Sequence, residues 1–264
     1  MFLEPIQSVV DFSFYRKVPE RSAARTVGYV FYLGFVFSGL ATIALARQFG
    51  PLLRESIDWA ANSIPPIVFA DGKASSALAG PTIIRHPRIG DVALLIDTNR
   101  TTAVAAQELN EQKVSVYLTQ NTLYLMTSPE KMEHYDLAKS NATRGFTIDA
   151  NFYRKLGHTI LRLFYPIAWL FAWMSFVVWK LSASLFYSLF ALAIDVKTAS
   201  GLPYKSLWRI AVYAQTPVVW LQTVVLFLPR HIPGFFLIAW GVAALYLWQA
   251  LKQHQPAAQA AEPS

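Results

Sequence analysis

Long apolar runs without charge constrain this chain more than any other feature of its sequence. A transmembrane helix needs about 20 mostly apolar residues to cross a hydrocarbon core about 30 Å thick. Three runs meet that requirement without an Asp, Glu, Lys or Arg: residues 26–46, 210–229 and 231–251. We therefore expect lipid to be the solvent for much of this protein.

The overall composition agrees with a lipid environment. Hydrophobic residues make up 54% of the chain and charged residues 15%, and the mean hydropathy is +0.33, above ordinary soluble usage. The net charge is +7, but the basic residues lie beside apolar runs, so we expect a lipid bilayer and no nucleic acid as partner. The absence of cysteine excludes disulfides, thiolate metal sites and thiol nucleophiles. No cofactor is expected.

A further apolar region is interrupted by one charge, Lys180, in the stretch WMSFVVWKLSASLFYSLFALAI. The piece after the lysine is short for a bilayer crossing at helical rise, and no Gly, Pro, Asn or Asp lies beside it to form a tight reversal. We therefore expect one span over residues 158–180, with Lys180 reaching the membrane interface. An interfacial helix and loop would follow over residues 181–209. Five spans, with a hairpin at Lys180, are the alternative.

The distribution of basic residues favours four spans over five. Lys and Arg near span ends accumulate on the cytoplasmic side. With the N terminus inside, that side receives the residues that we take to set the topology: Arg25, Lys180, Lys197, Lys205 and Arg209. A fifth span would move the last three outside. Both termini are then cytoplasmic, with residues 1–25 as an interfacial segment and residues 252–264 as a disordered tail.

The N-terminal segment has its own apolar pattern. Phe2, Ile6, Val9, Val10, Phe12 and Phe14 recur at loosely helical intervals, and Arg16 and Lys17 follow them. This pattern is typical of a helix lying in the membrane interface. A partly ordered tail is the alternative interpretation.

Residues 47–157, between the first two predicted spans, differ sharply in composition from the rest. PLLRESIDWAANSI is typical of a short amphipathic helix. Short apolar runs then alternate with turn residues, including Asp71-Gly72 and Gln120-Asn121, the second of which predicts a hairpin. We expect a small α+β or mostly β module on the extracytoplasmic side.

Candidate catalytic and metal-binding residues in this module have structural alternatives. Asp97 follows an apolar strand, where an aspartate can be catalytic, but Asp97, Thr98 and Asn99 can equally form the turn that ends the strand. The histidines at 86, 134, 158, 231 and 254 are scattered singly, whereas metal sites need clustered ligands. Residues 99–101 and 141–143 match the glycosylation sequon, a pattern common by chance. We assign no catalytic residue and no metal site.

One predicted span contains a group of polar residues. Tyr213, Gln215, Thr216 and Pro217 form the phrase YAQTP, and Gln222 and Thr223 follow it. Such groups can line a substrate path through a helix bundle. The structural interpretation is a helix kinked at proline, whose freed backbone and polar side chains are satisfied by neighbouring helices.

Several phrases along the chain resemble a known family. They are DFSFYRKV and RTVGYVFYL around the first span, ADGK and LLIDT in the middle module, and YAQTP near the end. The chain resembles a bacterial integral-membrane family of unknown function, some members of which are labelled maltodextrose-utilization protein MalA. YAQTP is also similar, more weakly, to a phrase in Yip-type membrane proteins. The resemblance implies a multi-pass protein of the bacterial cytoplasmic membrane with no assigned reaction and a link to sugar uptake.

The sequence thus predicts an α-helical membrane protein with an inserted module, and three functions compete. The first is a non-enzymatic accessory protein whose module binds a partner protein or an envelope ligand. The second is a small transporter or transporter subunit with a polar path near Tyr213–Pro217. The third is a membrane-bound hydrolase that uses Asp97.

Overall fold

The computed structural model describes residues 2–89, 93–128, 131–139, 145–228 and 232–255. The chain divides into two compact units. The helical unit consists of Met1–Arg47 and Phe164–Ser264, and the mixed unit is Gln48–Leu163. The mixed unit covers nearly the same residues as the predicted module, 47–157.

Helices make up most of the described chain. Their bounds are α1 Glu4–Val10, α2 Ala23–Ser63, α3 Ala106–Glu111, α4 Ala150–Thr198, α5 Tyr204–Ala214, α6 Thr216–Leu226 and α7 Phe235–Lys252. A 3-10 helix at Phe12–Lys17 follows α1. Among the described residues, three helices are long and apolar enough to cross a membrane: α2, α4 and α7. This makes the fold compatible with a membrane protein.

The region predicted as a span at residues 210–229 is divided in the structure. It consists of α5 and α6, each 11 residues long, with Gln215 between them. Pro217 lies in the first turn of α6, where its missing N–H leaves no helical hydrogen bond unmade. The number of membrane spans therefore stays a prediction. Residues 229–231, at the end of this region, lie outside the described residues.

The chain does not reverse at Lys180. α4 continues as one helix of 49 residues from Ala150 to Thr198, which is about 73 Å at helical rise. Ser184 and Ser188 donate hydrogen bonds to the carbonyls of Leu181 and Leu185 within the helix, each at 2.7 Å. The hairpin that five spans would require at this lysine is therefore absent.

The surface of α4 has the reverse of the polarity seen in water-soluble proteins. Large apolar side chains point outward, with Phe171 74% exposed and Phe186 68% exposed, while Lys180, Ser184 and Ser188 are buried. Small residues also form the packed side of α7, where Ala239 and Ala243 are buried. Small and hydroxyl residues at helix contacts and apolar residues outside are what a lipid solvent favours.

The mixed unit contains two β-sheets. Its strands are β1 Ile67–Ala70, β2 Lys73–Ser76, β3 Thr82–Arg85, β4 Ala93–Asp97, β5 Val116–Thr119, β6 Thr122–Ser128, β7 Lys131–Asp136 and β8 Phe146–Ile148. One sheet has the order β2-β1-β8 and the other β3-β4-β5-β6-β7. Within the second sheet β4 and β5 are parallel, and α3 lies in the connection between them. The predicted α+β composition is confirmed, although the sequence patterns did not indicate α3, β7 or β8.

Both predicted turns are present. β5 and β6 form a hairpin around Gln120 and Asn121, with Leu118 paired to Leu123. β1 and β2 form another, with Ala70 paired to Lys73 and positive φ angles of 49° at Asp71 and 72° at Gly72. Two successive residues with positive φ are the geometry that a tight two-residue hairpin requires.

This turn makes Gly72 a test of the fold of the mixed unit. A Cβ at position 72 would lie 2.7 Å from the Cα of Ala138, and the φ of +72° is strained for any other residue. We expect Gly72→Ala to lower the free energy of unfolding by about 2 kcal/mol, measured by thermal unfolding of the full-length protein in detergent. Gly80→Ala is the control, because a Cβ at Gly80 meets nothing within 4 Å. Equal midpoints for the two variants would contradict this description of the turn.

Candidate functional site

The polar residues predicted around Tyr213–Pro217 do not form one site. The structure divides them between two clusters within the helical unit. We call them the carboxylate cluster, which is Glu4, Ser8, Arg21, Arg25, Tyr29, Tyr213 and Thr216, and the lysine cleft, which is described below. The break between α5 and α6 at Gln215 turns successive polar side chains toward different neighbours.

Glu4 is the centre of the carboxylate cluster. It occupies the first turn of α1, just before Pro5, and is only 3% exposed. Arg21 donates to one carboxylate oxygen at 3.0 Å, and Arg25 donates to the other at 2.5 Å. The Tyr213 hydroxyl also donates to Glu4, at 3.1 Å. A buried carboxylate is thus compensated by two cations and a hydroxyl, as burial of a charge requires.

The charges around Glu4 decide its protonation. Burial alone would raise the pKa of this carboxyl, but the hydrogen bond from Arg25 and the positive charges of Arg21 and Arg25 outweigh it, so the pKa lies below its ordinary value. Glu4 is therefore ionised at neutral pH. This residue was missed by the sequence reasoning, because nothing in the N-terminal pattern links it to Tyr213, which lies more than two hundred positions away.

Aromatic contacts complete the carboxylate cluster. The rings of Tyr29 and Tyr213 lie 4.2 Å apart, and the Arg21 guanidinium lies 4.8 Å from the centroid of the Tyr213 ring. The Tyr29 hydroxyl is hydrogen-bonded to the Thr216 hydroxyl at 2.7 Å and lies 3.5 Å from that of Ser8. Tyr213 and Thr216 therefore connect the N-terminal segment to α2, α5 and α6.

The N-terminal segment buries the polar side of α1 and exposes apolar residues, and its position in a membrane interface stays a prediction. Its polar residues Glu4 and Ser8 point inward, and Phe14 and Tyr15 are buried in the core instead of lying on an outer face. Phe2, Leu3, Ile6 and Val10 are exposed. The reason is the buried carboxylate: pairing Glu4 with Arg21 and Arg25 turns the polar side of α1 toward the bundle. The exposed apolar side is what a membrane-facing helix presents.

The residues predicted to set the topology occupy different environments. Arg25 belongs to the carboxylate cluster, and Arg209 donates to the carbonyl of Pro19 at 2.5 Å. Lys197 and Lys205 are exposed. Lys180 differs from all of them, because it is buried within the helical unit. Its predicted position at a membrane interface stays a prediction, but its side chain does not extend along an exposed helix face.

The lysine cleft surrounds Lys180. Its ammonium lies 3.4 Å from the Oε1 of Gln222 and 5.7 Å from the centroid of the Phe176 ring. The cleft has a volume of about 480 Å³ and is lined by residues of α2, α4, α6 and the first residue of α7: Phe37, Ala172, Ser175, Phe176, Trp179, Lys180, Gln222, Val225, Leu226 and Phe235. This volume lies within the range of about 300–1,000 Å³ that is typical of ligand sites.

Gln215 also lies near Lys180. Both residues line a second, enclosed cavity of about 10 Å³. Gln215 donates from Nε2 to the carbonyl of Ala211 at 3.2 Å, while its Oε1 is buried and has no hydrogen-bond partner in the described part of the chain. Lys180, Gln215 and Gln222 thus form a polar centre within an otherwise apolar set of helices.

In the mixed unit, Asp97 and His86 have structural roles. Asp97 Oδ1 accepts from the backbone N–H of Asn99 at 3.3 Å, which is the turn predicted as the alternative to catalysis. Nδ1 of His86 accepts from the N–H groups of Arg88 and Ile89, and its Nε2 lies 3.1 Å from the Ser56 hydroxyl. No group of three or more His, Asp or Glu residues able to hold a metal ion occurs among the described residues. Residues 141–143, the second sequon, and His231 lie outside them.

Arg100 and Glu108 form an ion pair in the mixed unit. The guanidinium donates to the carboxylate at 2.5 and 3.0 Å. This contact raises the pKa of Arg100 and lowers the pKa of Glu108. The pair holds the start of α3 against the loop after β4, so its role is to fix the crossover between the parallel strands.

These features define a class of protein: a helical unit with an apolar exterior and a buried polar centre, joined to a small mixed sheet unit. The chain belongs to the family described as protein of unknown function (DUF1189), whose family model matches residues 2–251. The predicted membership of a family of unknown function over nearly the whole chain is confirmed. No curated protein and no solved structure matches the chain.

The carboxylate cluster generates a prediction about stability. We expect Glu4→Gln to lower the free energy of unfolding at about pH 7 by roughly 2 kcal/mol, because two guanidinium groups lose their anion. This is less than for a fully buried pair, since the Arg25 side chain is half exposed. Thermal unfolding of the full-length protein in detergent measures the change. The exposed residue Glu20 supplies the matched control, Glu20→Gln, which should have little effect.

The Glu4→Gln variant also tests how the contribution of Glu4 to stability depends on pH. Since the pKa of Glu4 is lowered from 4.5, its stabilisation is complete above that value and is lost as the pH falls through the folded-state pKa. The difference between wild type and Glu4→Gln should therefore shrink as the pH is lowered below 4.5. A difference that does not shrink below that pH would show that ionised Glu4 does not stabilise the fold.

Proposed function

We propose that this chain is a non-enzymatic integral membrane protein of the bacterial cytoplasmic membrane whose mixed unit binds a partner protein or an envelope ligand. The observation that supports this proposal best is the opposite polarity of the two units. The helical unit exposes large apolar side chains and buries charge, whereas the mixed unit follows the pattern of a protein in water.

The mixed unit carries most of the acidic side chains. Eleven of the sixteen Asp and Glu residues lie in Gln48–Leu163. Its ion pairs, such as Arg88 with Glu55 at 3.0 Å, have substantially exposed side chains. Its cores are formed by ordinary buried residues of the strands, such as Leu95, Ile96 and Leu118. This unit therefore has a surface suited to an aqueous compartment, where a second protein or an envelope ligand is accessible.

The absence of an enzymatic role is part of the proposal. Asp97 accepts a hydrogen bond within its own turn, and His86 uses both ring nitrogens in local contacts. These are the residues for which a catalytic or metal-binding role was considered. Their engagement in local structure supports binding over catalysis as the task of the mixed unit.

The proposed topology has four spans with both termini in the cytoplasm. The third of these spans is residues 210–229, whose described part consists of the second half of α5 and all of α6. The mixed unit, between the first two spans, would then be extracytoplasmic. The exposed basic residues Lys197 and Lys205 would be cytoplasmic, in agreement with the positive-inside rule.

The absence of native cysteine permits a direct test of this topology. A single cysteine at the exposed Gln112 of the mixed unit, Gln112→Cys, should react with a membrane-impermeant maleimide in intact cells. A single cysteine introduced by Lys197→Cys should react only after the cells are permeabilised. Labelling of both in intact cells would contradict the cytoplasmic position of Lys197, and protection of Gln112→Cys would contradict the extracytoplasmic position of the mixed unit.

Binding by the mixed unit is tested by crosslinking in cells. Tyr135 lies on β7, an edge strand of the larger sheet, and is 50% exposed. Edge strands present unpaired backbone groups to a partner. A photoreactive amino acid at position 135 should yield a discrete adduct, and the same group at the exposed Phe171 of α4 should yield none of that size. The proposal fails if positions 135, 68 and 83, all exposed in the mixed unit, give no adduct.

A small transporter is the second candidate function, and the lysine cleft is the observation that favours it. The cleft places Gln222 and Lys180 beside an opening among four helices. Tyr213 and Thr216, however, are engaged with Glu4 and Tyr29, so the part of the proposed path formed by these two residues is occupied by side-chain contacts. The link to sugar uptake, and the label MalA, rest on the resemblance alone and stay hypotheses.

A further inference from the structure

Lys180 is a buried cation beside an open apolar cleft, and the proposed binding by the mixed unit does not use it. Its side chain is 8% exposed. Among the described residues no carboxylate forms an ion pair with its ammonium, and its hydrogen-bond partner is the neutral amide oxygen of Gln222 at 3.4 Å. A buried charge is costly unless an opposite charge or strong hydrogen bonds compensate it. The position therefore favours an anion beside Lys180.

Apart from Ser175, the remaining lining of the cleft is formed by apolar and aromatic residues. Phe37, Val225, Leu226 and Phe235 form its walls, and Ala172 and Ser175 leave space between them. A volume of about 480 Å³ accommodates part of a phospholipid rather than the whole molecule. An amphiphile with an anionic head group and an acyl chain matches both features, because the head group contacts the ammonium and the chain contacts the apolar walls.

The rim of the cleft is continuous with the surface that the helical unit exposes. Trp179 lines the cleft and is 69% exposed, and its neighbour in sequence Val178 is 62% exposed. In a bilayer these side chains face lipid, so phospholipids would be the anionic amphiphiles present at highest concentration at the opening. Basic pockets between membrane helices are known lipid head-group sites.

We propose that the lysine cleft binds one anionic phospholipid, with the phosphate of the head group against Lys180 and Gln222 and one acyl chain along Phe37, Val225 and Leu226. The Gln222 amide nitrogen donates to a phosphate oxygen, while its Oε1 holds the lysine ammonium. This inference rests on the proposed membrane location of the helical unit. It does not depend on what the mixed unit binds.

The test uses the purified full-length protein in a zwitterionic detergent. Native mass spectrometry would follow the binding of phosphatidylglycerol and phosphatidylcholine with identical acyl chains. We expect about a tenfold preference for phosphatidylglycerol at the first bound lipid, which Lys180→Met abolishes and Lys180→Arg retains. Lys205→Met is the matched control, because it removes an exposed lysine and should leave the preference unchanged.

A second variant tests the apolar space of the cleft separately from the charge of Lys180. Ala172→Phe keeps Lys180 but fills the space for the acyl chain, so it should weaken binding of the first phosphatidylglycerol by about tenfold. Thermal unfolding of each variant shows whether it is folded. Equal binding of the two lipids, or a preference that survives both Lys180→Met and Ala172→Phe, would overturn the proposal.

Two further measurements identify the source of the anion. Inorganic phosphate or palmitate added at equal concentration should not displace the first phosphatidylglycerol. Displacement by phosphate would show a site for a free anion, and displacement by palmitate a site for a free fatty acid, and either result overturns the assignment to phospholipid. Failure of this lipid test leaves the maleimide labelling pattern unchanged, so it is distinguishable from failure of the proposed topology.

Discussion

The ion pairs of Glu4 with Arg21 and Arg25 are the contacts on which the arrangement of the helical unit depends. A carboxylate that is 3% exposed must meet its partners in one geometry, because an unpaired charge in the bundle is far costlier than a misplaced apolar contact. Since Tyr213 donates to the same carboxylate, one residue of α1 fixes both the start of α2 and the end of α5. The apolar contacts of Phe14, Tyr15 and Leu247 then assemble around this fixed point.

Among the described residues of the helical unit, two charged side chains, Glu4 and Lys180, are buried, and their charges are compensated differently. Glu4 finds two cations and a hydroxyl within the chain, so its compensation is complete without a ligand. Lys180 finds an amide oxygen and the ring of Phe176, which compensate an ammonium only in part. The contacts of Glu4 therefore stabilise the fold, whereas Lys180 indicates a binding site. This difference is why we place the binding function of the helical unit at Lys180 rather than at the YAQTP phrase.

The sequence predicted those features that depend on local pattern. Two of the three uncharged apolar runs lie largely within the long helices α2 and α7, and the turns at Asp71-Gly72 and Gln120-Asn121 formed hairpins. At Asp71 and Gly72 the backbone adopts the positive φ angles that a two-residue reversal needs. The continuity of α4 followed from the absence of turn residues near Lys180. By contrast, α3, β7 and β8 have weak patterns of their own, and their formation depends on partners: β8 pairs with β1, which is about 80 residues earlier.

The candidate site was harder to predict, because its contacts join residues distant in the chain. Tyr213 and Gln222 were recognised as polar residues within an apolar run, but a one-dimensional pattern does not say which neighbour each one meets. The break at Gln215 decides this, since Tyr213 and Thr216 meet residues of α1 and α2, whereas Gln215 shares a cavity with Lys180 and Gln222 contacts it. Pro217 was the visible signal for that break. A proline that starts a new helix inside a predicted span is thus a reason to assign the polar residues before and after it to separate sites.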